Sequence, residues 1–200
     1  MINNIEQIKK LLNFQNIGDF YYCLILKRKK DQPEGERDNH QSVRTIKSYC
    51  IESVDHLERR YDEIKQLCEM FKARAYIHVQ KQNHKDVSLN MLASLAERIR
   101  DGASNQKGLF DSMVGQIKTQ EKRWVCDIDI KDLEFVGEVG EFIDSLRPEG
   151  PKCNACIPTK NGYHLITDKF DVKTFSEKYP EISIQKKNPT LLYFPNSLAD

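Results

Sequence analysis

Apolar and polar positions alternate in two rhythms along this chain, and the change from one to the other marks the elements. Phe20 to Lys27 and Val43 to Ser53 are rich in β-branched and aromatic residues, which predicts two strands. The polar segment Lys29 to Gln41 between them, with Pro33 and Gly35, reads as a loop. After Ser53, a good N-cap, Val54, Leu57, Tyr61, Ile64, Leu67, Cys68 and Phe71 recur at helical spacing and predict one long amphipathic helix. Ala75 to Val79 reads as a strand. A second helix is expected from Ser88 to a stop at Gly102, burying Leu89, Leu92, Ala96 and Ile99. Ala103 to Arg123 has weak periodicity, with a short helix around Phe110 to Ile117, and is the expected boundary between an N-terminal module, 1–120, and a second one, 121–200.

The second module has a clearer plan. Trp124 to Ile130 alternates as a strand, and Phe135, Val136, Val139, Phe142, Ile143 and Leu146 mark a helix ended by Pro148 and Gly150. Asn161-Gly162 is a favoured two-residue turn between strands Cys156 to Thr159 and Tyr163 to Thr167, so Lys160 should face Tyr163 and Thr159 should face His164. Asp171 to Tyr179 reads as a short helix, and Ile182 to Lys186 with Thr190 to Phe194 as the last strands. The order β-α-β-β-α-β is the split βαβ pattern of ferredoxin-like and RNA-recognition-like folds. The expectation is an α+β chain, with an N-terminal α/β module packed on a split β-α-β antiparallel sheet.

Candidate chemistry starts in Trp124-Val125-Cys126-Asp127-Ile128-Asp129-Ile130. Successive strand side chains point to opposite faces, so Trp124, Cys126, Ile128 and Ile130 can enter a core while Asp127 and Asp129 project together from the other side. Two like charges so close invite protonation unless a cation compensates them, and a divalent metal is the simplest. A solvated face of an edge strand is the plainer alternative. In a split βαβ sheet the strand of His164 lies beside the acidic strand, so two acids and an imidazole can converge on one open sheet surface, with Lys160 nearby. Carboxylates for a divalent ion, with imidazole and ammonium for phosphate oxygens, are what phosphoryl or nucleotidyl transfer requires.

Asp127-Ile128-Asp129 on a strand, followed by Thr159-Lys160-Asn161-Gly162-Tyr163-His164-Leu165 in a turn and strand, resembles the two central motifs of the archaeo-eukaryotic primase superfamily, the primase-polymerases. The resemblance covers roughly residues 120 to 195. It implies an RNA-recognition-like catalytic sheet backed by an N-terminal α/β module. It also implies Mg²⁺ or Mn²⁺ held by Asp127 and Asp129, His164 on the phosphates of a nucleoside triphosphate, and a DNA or RNA strand supplying the attacking hydroxyl. Thr159, Lys160, Asn161 and Gly162 of the turn, with Arg74 and Lys186, join the nucleotide-binding candidates, and Arg74 and Tyr76 resemble residues that line a nucleotide or template groove. Plainer readings of these side residues are a strand-end charge, a half-buried ring and a solvated Lys186-Lys187 pair. Family members usually carry a third acid on the strand after the histidine strand, but Ile182 to Asn188 contains none. Glu181 precedes it and Asn188 offers a neutral oxygen. A nucleic-acid- or nucleotide-binding relative without catalysis is therefore the alternative, and a metal-dependent transferase acting on sugar nucleotides is a third reading.

Composition narrows the field further. With 31 basic and 30 acidic side chains, the chain has no overall field to attract nucleic acid, so any such binding must come from local patches. Met1 to Leu12 has helical spacing and no signal-peptide run, no apolar stretch spans a membrane, and six cysteines without a secretory signal read as thiols of a reducing cytoplasm. Cys153-Asn154-Ala155-Cys156 has the spacing of half a zinc knuckle, while Cys23, Cys50, Cys68 and Cys126 sit singly in core patterns. His78 and His84 form a loose pair without a third ligand. No P-loop, dinucleotide fingerprint or nucleophile elbow occurs.

Overall fold

The computed structural model describes residues 1–28, 31, 43–102, 108–116 and 122–198. The expected loop at Lys29 to Gln41 lies almost entirely outside these residues, as do the two flanks of the expected short helix. Among the described residues the chain forms two antiparallel sheets and six α-helices, an α+β architecture. In chain order these are β1 (Ile2–Asn3), α1 (Ile5–Leu11), β2 (Asp19–Arg28), β3 (Val43–Ile51), α2 (Val54–Phe71), β4 (Arg74–His78), β5 (Gln82–Asn83), α3 (His84–Arg100), α4 (Leu109–Gln116), β6 (Trp124–Ile128), α5 (Leu133–Ser145), β7 (Cys153–Pro158), β8 (Tyr163–Thr167), α6 (Val172–Lys178), β9 (Ser183–Gln185) and β10 (Pro189–Phe194).

The first sheet runs β1-β10-β4-β2-β3, with β5 paired to β2. Side chains of β2 and β4 alternate between its two faces. Tyr21, Cys23 and Ile25 of β2 and Ala75 and Ile77 of β4 pack with Leu57, Tyr61, Ile64 and Cys68 of α2 in the largest core. Ser53 caps α2 as expected, its hydroxyl accepting from the His56 N–H at 3.0 Å. The opposite face is divided: Phe20 and Tyr22 pack under Val87 of α3 and Leu109, Met113 and Val114 of α4, while Tyr76 and Leu191 pack together with Phe194.

Helix α3 departs from the expected register. It begins four residues before Ser88, capped by Asn83, and meets the sheet through Val87, Met91 and Leu95. The stripe of Leu89, Leu92, Ala96 and Ile99 faces solvent, with Leu92 66% exposed. Two apolar stripes run along this helix, and spacing alone does not say which one meets the sheet. The packing partners Phe20 and Tyr22 select the one set by the β5-to-α3 turn, where the His84 N–H bonds the Gly18 carbonyl.

The second sheet has the order β7-β8-β6-β9, the arrangement expected of a split β-α-β unit, with α5 and α6 on one face. Trp124, Cys126, Ile128 and Leu165 enter that core, but Ile130 lies beyond the end of β6 and is exposed. The other face is not an open surface along its whole length. Val125, Ile157 and Ile166 are sealed against the core of the first sheet. The last strand crosses over: β10 pairs with β1 and β4 in the first sheet. Its run Leu191-Leu192-Tyr193-Phe194 is apolar on both faces, which suits an interior strand covered on both sides. A bulge between Leu191 and Tyr193 switches its parity. Buried Asn4 ties the units together, its amide donating to the carbonyls of Pro158 and Leu191, each at 2.9 Å. No helix among the described residues is long and apolar enough to cross a membrane.

Candidate functional site

A cavity of about 430 Å³ lies where the two sheets meet, within the size range of small-ligand sites. One wall is the second sheet and its hairpin, contributing Asp127, Asp129, Thr159, Lys160, Asn161, His164 and Gln185. The other is the first sheet, contributing Leu26, Arg28, Arg74, Tyr76 and Leu191, and Val43, Asn188 and Pro189 complete the lining. Most of the residues singled out from sequence therefore share one cavity, although Arg74 and His164 stand 90 residues apart in the chain.

Asp127 and His164 are cross-strand partners in the β6–β8 ladder, which puts both side chains on the same face. The imidazole Nε2 lies 3.4 Å from Oδ1 of Asp127. On the other flank, the Gln185 amide donates to Oδ2 of Asp127 at 3.1 Å and accepts from the Asn188 amide at 2.9 Å. The His164 imidazole is the main influence holding the half-buried Asp127 carboxyl below the ordinary carboxylate range. Desolvation opposes it, and the Arg28 guanidinium and the Gln185 amide assist. Asp127 is therefore a carboxylate at neutral pH. Asp129, one residue beyond β6, is exposed at the mouth.

The hairpin reaches the cavity by a register other than the expected one. Ile157 pairs with His164 and Pro158 with Tyr163, and the Thr159 N–H donates to the Gly162 carbonyl at 2.8 Å, so Lys160-Asn161 forms the tip. Gly162 is one residue past the tip and has no positive φ. Its reason is contact: a Cβ there would stand 1.9 Å from the Ile128 carbonyl oxygen and 2.7 Å from the Ile130 nitrogen. Bare backbone lets the turn lie against the end of β6, beside Asp129. The slip moves each pairing by an even number, so Thr159 and His164 keep a common face despite the wrong register.

On the opposite wall, Arg74 is 6% exposed and pairs with Asp31 at 2.6 Å, while its guanidinium lies over the Phe194 ring at 4.8 Å. Among the described residues, its Nε and the Asp31 Oδ2 have no hydrogen-bond partner. Arg28 sits over Tyr76 at 5.8 Å. Lys160 donates to the Leu198 carbonyl at 3.1 Å. Lys186 is not brought to the cavity, since its ammonium lies over the Trp124 ring at 5.0 Å, and Glu181 is exposed away from the lining. Sequence reading passed over Arg28, Gln185 and Thr190. The signal for the first two was the period of two: Arg28 shares a face with Leu26, and Gln185 shares one with Ser183, the cross-strand partner of Asp127. Thr190 carried no such signal, because its partner is in the other sheet.

Among the described residues no three His, Cys, Asp or Glu side chains cluster as a ready metal cage. Two carboxylates at a cavity mouth fit the hard-ion mode in which one or two protein carboxylates are completed by water and by ligand phosphates. The cysteines, including Cys153 and Cys156, are free thiols. Burial raises the Cys153 thiol to about 12. His78 is held down to about 4 by burial, and His84 stacks on Phe20 at 4.3 Å and pairs with Glu52 at 2.9 Å, so the two do not act together. No protein-family model matches the chain, and neither a curated protein nor a solved structure matches it.

Proposed function

We propose that this chain is a metal-dependent nucleotidyltransferase of the primase-polymerase kind, adding nucleoside triphosphates to a DNA or RNA strand. The observation that carries the reading is the convergence of Asp127, Asp129, His164, Thr159, Lys160, Asn161 and Arg74 on one cavity between the sheets. Asp127 and Asp129 would hold Mg²⁺ or Mn²⁺, which when bound neutralises charge developing on phosphate oxygens. The chain's own groups account for the rest. His164 would turn its Nε2 edge, beside Asp127, toward a phosphate oxygen. Arg28 supplies positive charge on the facing wall, Arg74 adds a guanidinium whose charge is shared with Asp31, and Leu26, Tyr76 and Leu191 give an apolar surface for the remainder of a nucleotide.

The test is incorporation of labelled nucleotide on a primed strand with Mg²⁺ or Mn²⁺. The reading expects incorporation by the wild type and its loss in the Asp127→Ala, Asp129→Ala double variant. Absence of incorporation by the wild type with every template and nucleotide type overturns it.

One observation favours the alternative, a nucleotide-binding relative without transfer. Gln185, on the strand where the family usually has its third acid, turns an amide N–H toward Asp127, and an N–H cannot ligate a cation. Nucleotide binding that persists without incorporation would select this alternative.

A further inference from the structure

Thr190 and His164 belong to different sheets, yet Oγ1 of the one lies 2.9 Å from Nδ1 of the other, in a fully enclosed setting where Thr190 is 0% and His164 9% exposed. Thr190 comes from β10, where it pairs with Ile77, and His164 from β8, where it pairs with Asp127 and Ile157. The contact therefore fixes the ring relative to both walls of the cavity. We propose that Thr190 is a positioning residue whose hydroxyl donates to Nδ1 of His164 and holds the ring with Nε2, which carries the proton of the neutral imidazole, aimed at the Asp127 edge of the cavity.

The choice of tautomer follows from the neighbours. A hydroxyl can donate or accept, so Thr190 by itself permits either form. Oδ1 of Asp127 can only accept. Were the proton on Nδ1, the bare Nε2 lone pair would face that oxygen across 3.4 Å, acceptor against acceptor. With the proton on Nε2, the Thr190 hydroxyl turns its hydrogen to Nδ1, and the contact of Nε2 with the carboxylate at 3.4 Å becomes attractive. The second oxygen of Asp127 already accepts from Gln185, so no other arrangement of the carboxylate relieves the conflict. The consequence is functional: the Nε2–H group is held in the wall of the cavity, beside Asp127, as a donor for an anionic oxygen of whatever binds there.

The test is nuclear magnetic resonance of ¹⁵N-labelled protein at about pH 8, above the usual histidine range. Long-range ¹H–¹⁵N correlations of the ring are assigned by comparison with His164→Gln. The wild type is expected to show a protonated Nε2 and an unprotonated Nδ1. Thr190→Ser should keep that pattern, and Thr190→Val should keep the proton on Nε2, which Asp127 selects, while the Nδ1 resonance moves downfield with the loss of its hydrogen bond. A wild type protonated on Nδ1 overturns the proposal, as does an Nδ1 resonance that does not move in Thr190→Val. If Thr190→Val fails to fold, the wild-type and Thr190→Ser spectra still decide.

A second measurement rests on the triphosphate reading above. With Mn²⁺ present, Thr190→Val should bind inorganic tripolyphosphate roughly tenfold more weakly than the wild type, and Thr190→Ser should bind within about twofold of it. The expected tautomer without any tripolyphosphate binding overturns the triphosphate reading and leaves the role of Thr190 standing. Equal binding by Thr190→Val and the wild type overturns the positioning role in recognition.

Discussion

Nε2 of His164 stands 3.4 Å from Oδ1 of Asp127 because the two residues are direct partners across β6 and β8. The pair is a product of register, and a slip by one residue would send one of them into the α5–α6 core. Its consequence is a carboxylate that stays ionised at the edge of a cavity containing two arginines.

Removing that charge should separate fold from ligand binding. Asp127→Asn still accepts from Gln185 and fills the same volume, so its melting temperature should stay within a few degrees of the wild type. Its affinity for Mn²⁺, read from the electron paramagnetic resonance of the free ion, should fall by roughly tenfold or more. Unchanged affinity would exclude Asp127 as a ligand.

The turn against β6 should tolerate no side chain at Gly162. A Cβ would meet backbone at 1.9 Å, and backbone cannot swing aside as a flexible side chain can. Gly162→Ala should therefore cost more than about 2 kcal/mol, measured by urea unfolding. Asn161→Ala, at the exposed tip, should cost far less.

Acid should weaken the fold through His78. Burial holds its folded pKa at about 4 against an ordinary value of 6.5, so the unfolded chain binds the extra proton first. The contribution is complete above about pH 6.5 and is lost as pH falls toward 4, amounting to up to about 3 kcal/mol. Urea unfolding from pH 7 to pH 5 should show a smaller loss in His78→Gln than in the wild type.

Lys152 closes the end of α5. The residue is 5% exposed, and its three ammonium N–H groups are shared among the carbonyls of Asp144 at 2.9 Å, Leu146 at 3.1 Å, Pro148 at 2.6 Å and Gly150 at 2.7 Å. These include carbonyls the helix end leaves without intrahelical partners. Lys152→Met keeps the length and removes the donors, and should destabilise by about 2–4 kcal/mol in the same measurement.

The two faces of α3 should respond oppositely to a polar substitution. Leu95→Gln, on the stripe packed against the sheet, should cost about 1–3 kcal/mol, whereas Leu92→Gln should fall within about 0.5 kcal/mol of the wild type. The reverse order would restore the face expected from spacing.

Local pattern determined much of this protein. Ser53 before a 3.6-residue stripe produced α2, Asp171 capped α6, and strict alternation put Trp124, Cys126 and Ile128 on one side of β6 and Asp127 on the other. These outcomes depend on residues within a turn or two of each other, so they are written in the chain. The common face of Thr159 and His164 was legible for the same reason, because parity survives an even slip of register. Other features depend on neighbours distant in sequence. Gly162 reads as a turn glycine until β6 is beside it. The apolar stripe of α3 is one of two until Phe20 and Tyr22 choose between them. The strand β10 follows β9 in sequence but is buried in the other sheet, carrying Thr190 to His164 and completing the cavity with Leu191. A sequence fixes which side chains point together along one element; which elements face each other is settled only by the packing that excludes water from all of them at once.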